Sequence, residues 1–259
     1  MSIMVTRIED HETRLREIDR VVEWIRETVQ NAHQNGVVVG LSGGIDSAVV
    51  ANLVKRAFPE DSIGVILPVK SSTKDSIDAR AVAEKCGLHW IEMDLSVSHE
   101  LIFDDIKIKL DRDLNGRARM TDANLRARLR MSTLYGVANS LGYLVAGTDN
   151  AAEVLTGYFT KYGDGGVDFL PIANLTKREV YEWAKVLGVP QQVIDRAPSA
   201  GLWEGQTDEA ELGVKYNDID DYLEGKDISE AAKARIEHLY NVTAHKRVMP
   251  PKPPVEAEE

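Results

Sequence analysis

Val37-Val38-Val39-Gly40-Leu41-Ser42-Gly43-Gly44-Ile45-Asp46-Ser47 runs straight into Ala48-Val49-Val50-Ala51-Asn52-Leu53-Val54. A β-branched run, a small polar loop and a second apolar run form a strand–loop–helix unit. In such a unit the loop amides and the helix N-terminus point at one spot. That spot carries unsatisfied N–H groups and the positive end of the helix dipole, so it attracts an anion. Gly43 and Gly44 let the backbone approach the anion and take positive φ. Ser42 and Ser47 add hydroxyl donors. Asp46 is the odd member, because a carboxylate beside bound phosphates is repulsive unless a divalent cation lies between them. The stretch reads as a nucleotide phosphate site with a metal; a plain helix N-cap is the bland alternative.

The loop is not a Walker loop, since no Lys follows Gly44, and the dinucleotide fingerprint Gly-x-Gly-x-x-Gly is absent here. Outward from it, the polar segment 11–35 carries Leu15, Ile18, Val22, Ile25 and Val29 at helix spacing. Ile63 to Leu67 reads as a second strand stopped by Pro68, and Trp90 to Met93 as a third. Tyr143 to Gly147 is the fourth. Helices are expected over 72–85, 97–110, from Asp122 to about Ser140, from 150, and over 176–187, the last opened by the capping box Thr176-x-x-Glu179. Phe169 to Ile172 reads as short and extended.

Alternation of strand and helix gives an α/β, Rossmann-like parallel sheet with helices on both faces, plus N- and C-terminal helical segments. Its ligand crevice lies at the carboxyl ends of the strands, where Ser42, Val69 to Ser72, Asp94 and Thr148 all fall. Residues 1–248 are expected to form a single domain. The proline- and glutamate-rich tail 249–259 is expected to be disordered.

The chain has 259 residues and a formal charge of −11, a poor prior for nonspecific nucleic-acid binding. Against that background Arg117, Arg119, Arg126, Arg128 and Arg130 form a basic island suited to a local anion, or simply a solvated helix face. Helix geometry puts Arg126 and Arg130 on one face and turns Arg128 toward Met131 and Tyr135. No run of 18 apolar residues and no export signal is present, so a cytoplasmic protein without membrane association is expected. Cys86, the only cysteine, excludes a disulfide framework or a multi-cysteine zinc site and reads as a small buried residue.

The loop by itself resembles the Ser-Gly-Gly-x-Asp-Ser signature of the ATP pyrophosphatases, which cleave ATP between the α and β phosphates and adenylate a substrate. Three further segments sharpen the likeness: Gly147-Thr148-Asp149-Asn150-Ala151-Ala152-Glu153, Gly157-Tyr158-Phe159-Thr160-Lys161-Tyr162-Gly163-Asp164-Gly165-Gly166-Val167-Asp168 and Pro198 to Glu209. With His245-Lys246 near the end, this ordered set resembles the ammonia-dependent NAD synthetases from about residue 11 to 248. The resemblance implies ATP-dependent amidation of deamido-NAD with ammonia through an adenylated nicotinate, giving NAD, AMP and pyrophosphate. It implies a homodimer. It assigns ATP to Gly40, Leu41, Ser42, Gly43, Gly44, Ile45, Asp46, Ser47, Thr148, Lys177 and Ser199. It assigns magnesium to Asp46 and Glu153, catalysis to Asp46, Glu153 and Lys177, and deamido-NAD to Arg128, Lys161, Asp168, His245 and Lys246.

Residue chemistry supports part of this unaided. Two carboxylates near a triphosphate suit magnesium, which takes few protein ligands and keeps its waters. A lysine in the first turn of a helix runs against the dipole, so Lys177 answers to something else, such as phosphate. The glycine-rich 163–166 loop and the segment around 200–207 are candidate lids that keep water from an acyl-adenylate. Little more than one helix precedes residue 40, so no glutaminase is expected and free ammonia is the expected nitrogen source. Two alternatives stand: another adenylating enzyme with the same loop, such as a tRNA-modifying one, and a non-catalytic adenine-nucleotide-binding protein.

Overall fold

The computed structural model describes residues 4–8, 10–110, 117–198 and 207–254. Helix α1 (His11–Asn31) leads into β1 (Gly36–Gly40), α2 (Ile45–Ala57), β2 (Ser62–Ile66), α3 (Thr73–Cys86) and β3 (His89–Glu92). Then come α4 (Ser96–Leu110), α5 (Ala118–Leu141), β4 (Tyr143–Ala146), α6 (Ala151–Thr156), α7 (Lys177–Leu187) and α8 (Gln191–Ile194). The chain closes with α9 (Asp208–Leu212), α10 (Tyr216–Leu223), α11 (Glu230–Val242) and a 3-10 turn, Ala244–Lys246.

The four strands are all parallel, in the order β3-β2-β1-β4. The chain steps outward from β1 to β3 and then returns to the other side of β1. That reversal opens a crevice between the carboxyl ends of β1 and β4. The valine run alternates across the sheet as the pleat requires. Val37 and Val39 join the core with α1, α2, α3 and α7, while Val38 joins Met131, Leu134 and Ala138 of α5 on the other face. Helices on both faces thus match the expected class. A third apolar cluster ties α6 to α10 and α11 through Leu155, Ile219 and Ile236.

Several local readings shift. The first helix stops at Asn31, where His33 turns into positive φ. The long helix begins at Ala118, a turn before Asp122, because Ala-Arg-Met-Thr continues it without a breaker. The capping box at Thr176 forms only by half: Thr176 Oγ1 accepts the Glu179 N–H, while the Glu179 carboxylate reaches across to Arg14 of α1. Of 169–172, only Phe169 keeps an extended contact, a bridge to Ala146. Residues 249–254 carry no regular structure and are exposed.

Candidate active site at the mouth of β1 and β4

The polar loop falls where β1 ends and α2 begins, with Gly44 at the N-cap and no side chain capping the helix amides. Those amides are left for an anion. Gly43 has φ +80°, and a Cβ there would sit 2.5 Å from the Asp75 carbonyl oxygen. Glycine is therefore required twice over. Gly44, expected to share the positive φ, has φ −90°. The two serines shape the loop: Ser42 Oγ lies 3.0 Å from Ser47 Oγ and accepts the Gly44 N–H at 3.2 Å, and Ser47 Oγ donates to the Gly44 carbonyl at 3.0 Å. Gly40 ends β1 against Leu134. Leu41 and Ile45 are buried in the core, so only their backbone faces the loop.

Asp46 enters from the first turn of α2 and Glu153 from the first turn of α6. Asn150 joins them. Its Nδ2 donates to Asp46 Oδ1 at 2.9 Å, and its backbone N–H donates to Glu153 Oε2 at 3.0 Å. Lys177 closes the group, with Nζ 2.5 Å from Asp46 Oδ2 and 3.8 Å from Glu153 Oε1. Tyr216 lies beneath, its hydroxyl 3.5 Å from Glu153 Oε1 and 3.1 Å from Asp208 Oδ2. Thr176 caps α7, and Asp220 accepts the N–H groups of Lys177 and Arg178, which fixes where the lysine starts.

Burial lowers the proton affinity of Lys177, but the Asp46 and Glu153 carboxylates outweigh it and raise its pKa overall, so it is a fixed cation. Burial, followed by the Asp46 charge, raises Glu153 as well, to about 8, against the opposing pull of Lys177. Two carboxylates crowded together thus lack positive charge even with Lys177 present. Two hard oxygen donors beside a phosphate cradle fit a magnesium ion that takes most of its ligands from phosphate and water. Among the described residues no group of three or more His, Cys, Asp or Glu forms a cage for a metal.

The second constellation lies on the outer side of the crevice. The Arg128 guanidinium is exposed and donates to the Lys161 carbonyl at 3.2 Å. Lys161 Nζ donates to the His245 carbonyl at 2.5 Å, and Lys246 Nζ to the carbonyls of Phe159 and Gly157 at 2.7 and 2.8 Å. Four of the expected dinucleotide residues are therefore neighbours. Asp168 stands apart, accepting the Val145 N–H at 2.7 Å and the Tyr135 hydroxyl at 2.9 Å. Thr148 lies two residues beyond β4, and Asn150, not Thr148, caps α6. Ser199 lies outside the described residues.

Some readings change. Arg126 is buried in an ion pair with Asp122, so it is no idle surface neighbour of Arg128. The 163–166 loop is a compact turn, with Gly163 N–H and Gly166 N–H bonded to Thr160 and Gly163 carbonyls. Sequence reasoning missed Asn150 and Tyr216 as members of the carboxylate group. Asn150 had a signal, as a capping residue three before Glu153. Tyr216 had none.

An anion cradle one turn away from paired carboxylates, at the switch point of a parallel sheet, is the equipment of enzymes that split ATP and transfer its adenylyl group. Comparison with known proteins narrows that class. The sequence profile described as NAD synthase matches residues 17–250. The NH(3)-dependent NAD(+) synthetase of Alkaliphilus oremlandii (strain OhILAs) is 61% identical over 241 residues, covering 92% of this chain and 96% of the relative. Among solved structures, the NMN synthetase of Francisella tularensis is 38% identical, with TM-score 0.86 over 93% of this chain and 98% of that one. The NH3-dependent NAD synthetase of Campylobacter jejuni, in complex with the nitrate ion, is 29% identical, with TM-score 0.74 over 95% and 100%. The chain belongs to the NAD synthase family and is a carbon–nitrogen ligase. The tRNA-modifying and non-catalytic alternatives fall with that membership.

Proposed function

We propose that the crevice between β1 and β4 carries ATP-dependent amidation of deamido-NAD, with ATP phosphates in the 40–47 loop and the dinucleotide against Arg128, Lys161, His245 and Lys246. One observation carries this reading: Asp46, Glu153 and Lys177, far apart in sequence, meet within 4 Å beside an uncapped helix N-terminus. A carboxylate does not yield its oxygen to ammonia, because oxide is a poor leaving group. The nicotinate carboxylate attacks the α-phosphorus of ATP, and the bond to pyrophosphate breaks. Ammonia then attacks the acyl carbon, AMP leaves with the electron pair of the C–O bond, and the amide nitrogen loses a proton. The α2 amides and Lys177 oppose charge on the departing pyrophosphate. Asp46 and Glu153 would hold magnesium, which when bound supplies further positive charge against the triphosphate. Thr148 and Ser199 remain ATP contacts and Asp168 a ribose contact in the same proposal.

A homodimer is part of it. Val97, Leu101 and Ile108 share one side of α4 and leave it exposed and apolar for a second copy. The single domain over 1–248 also stands as a proposal, and of the tail expected to be disordered, 255–259 lie outside the described residues. No helix among the described residues is long and apolar enough to cross a membrane. A cytoplasmic location, where ATP and dinucleotide coexist, completes the reading.

The test supplies purified, ammonia-depleted protein with ATP, magnesium and either deamido-NAD or nicotinate mononucleotide, then ammonium or glutamine. NAD, AMP and pyrophosphate in equal amounts are expected with deamido-NAD and ammonium, and no product with glutamine. ADP and orthophosphate in their place would overturn adenylation. Faster amidation of the mononucleotide would move the substrate assignment toward that of the Francisella tularensis relative.

A further inference from the structure

Arg130 is a member of the basic island that no role above uses. It lies on α5, one turn before Leu134, whose Cδ1 is level with the end of β1: a Cβ on Gly40 would sit 3.2 Å from it. Because α5 feeds back into the start of β4, its N-terminal half overhangs the carboxyl ends of the strands. Arg130 therefore stands at the mouth of the crevice. Its Nε donates to the Leu67 carbonyl at 2.9 Å and its Nη2 to Ser71 Oγ at 3.0 Å. Those two acceptors bracket the turn between β2 and α3. Ser71 Oγ also accepts the Val69 N–H at 3.2 Å, and Ser96 Oγ accepts the Lys70 N–H at 3.0 Å. Lys70 itself is held at φ +53°. A non-glycine residue in that conformation needs such external fastening.

The charge on Arg130 is as telling as its hydrogen bonds. No carboxylate lies within 4.0 Å of it among the described residues. Burial and the nearby Arg126 lower its pKa to about 10 against the opposing pull of Asp164 and Asp75, which still leaves it a cation at neutral pH. A partly buried cation whose hydrogen-bond partners are a carbonyl and a hydroxyl, with Asp164 and Asp75 acting only from beyond contact, keeps part of its desolvation cost. An anion in the crevice offsets that cost.

The position of the turn decides which anion. β2 neighbours β1, and the Leu41 N–H bonds to the Val65 carbonyl at 2.9 Å. Gly43 abuts the first turn of α3. The 67–75 segment is thus one flank of the phosphate loop. The other flank holds Glu153 and Lys177, with the Arg128, Lys161 and Lys246 cations beyond.

We infer that Arg130 is a positioning residue for ATP: bridging Leu67 and Ser71, it fixes the turn that walls the ATP flank of the crevice and lends that flank positive charge. The inference rests on the 40–47 loop being the ATP phosphate cradle.

Arg130→Met, Arg130→Lys, Ser71→Ala and Ser42→Ala are compared in steady-state kinetics, with thermal unfolding as the check on folding. Arg130→Met is expected to raise KM for ATP by about tenfold while KM for deamido-NAD stays within about threefold. Lysine restores charge but cannot bridge both acceptors, so Arg130→Lys is expected to fall between, and Ser71→Ala to raise KM for ATP by about threefold. Guanidinium ion, and not ethylammonium, is expected to restore part of the ATP affinity of Arg130→Met. Equal weakening of both substrates, a loss confined to kcat, or wild-type kinetics in Arg130→Lys overturns the inference. If Arg130→Met does not fold, Arg130→Lys and Ser71→Ala decide by the same criterion. If Ser42→Ala also leaves ATP affinity unchanged, the phosphate-loop reading fails rather than the role of Arg130 alone.

Discussion

Two groups of cations face the same crevice and are held in opposite ways. Lys177 is buried against carboxylates, 2.5 Å from Asp46 and 3.8 Å from Glu153. Arg128, Lys161 and Lys246 instead lean on carbonyl oxygens, of Lys161, of His245 and of Gly157 and Phe159. A carboxylate partner cancels charge, whereas a carbonyl partner fixes geometry and leaves the charge in place. In the proposed function the inner group exchanges partners when a triphosphate and its metal arrive. In the same proposal the outer group attracts an anion such as a dinucleotide pyrophosphate. A chain of net charge −11 needs that local concentration, because its overall field repels both substrates.

Asp46→Asn breaks the inner half of the comparison and carries the largest expected effect. It removes one of the two proposed metal-binding carboxylates and the close partner of Lys177, while Asn can still accept from Asn150. Formation of AMP is expected to fall by about a thousandfold or more, several kcal/mol in the barrier. Thermal unfolding is expected to fall only modestly, since Lys177 loses its close partner but keeps Glu153 at 3.8 Å, which is itself relieved of the Asp46 charge. Turnover within about threefold of the parent would refute the catalytic assignment.

Arg128→Ala and Arg126→Ala test the outer half against a compensated neighbour on the same helix. Arg128 is held by a carbonyl, so its loss is expected to raise KM for deamido-NAD by about tenfold with a smaller effect on ATP. Arg126 is held by Asp122, and its removal leaves a partly buried carboxylate without its cation. That is expected to cost about 3 kcal/mol of stability, read as a lowered unfolding midpoint, with substrate preference unchanged. A reversal, with Arg126→Ala selective for substrate and Arg128→Ala only unstable, would mean that partner type does not sort these cations.

The same contrast explains what was legible beforehand. The phosphate loop could be read because its chemistry is local: strand, glycines, hydroxyls and helix lie within eleven consecutive residues. Lys177 was legible as an anomaly against the helix dipole, although its partner is 131 residues away. Asn150 and Tyr216 were not read as members of the group, because a contact across 104 or 63 residues leaves no periodicity. Helix geometry separated Arg126 from Arg128 correctly but could not say which face turns inward. Arg126 is buried and Arg128 exposed, the reverse of what Met131 and Tyr135 suggested. Both elements of the fold class followed from alternation, whereas helix ends depended on tertiary partners such as Arg14, which takes Glu179 away from its cap.

His99 sharpens the comparison at its smallest scale, because it adds a titratable group to the compensated side. It is fully buried on α4, stacked on Phe103, with Nε2 3.2 Å from Asp122 Oδ1. Burial lowers its pKa, Asp122 works against that, and Lys70 from the 67–72 turn and Arg126 from α5 reinforce it. The net direction is down, so at a pH just below the ordinary histidine value of about 6.5 the unfolded chain binds a proton that the folded chain does not. Stability therefore rises with pH through that window and is lost on acidification. The loss assigned to this one residue is at most about 1.4 kcal/mol at one pH unit below the ordinary value. Chemical denaturation of the parent and of His99→Gln at a series of pH values from neutral to mildly acidic isolates it. The parent is expected to lose stability more steeply than the variant, and the two slopes are expected to coincide above the histidine range. Parallel slopes throughout would show that Asp122 offsets burial fully, so that His99 takes up a proton in the fold as readily as in the unfolded chain. In that case Asp122 compensates two cations at once, and Arg126→Ala should cost less than a broken buried pair.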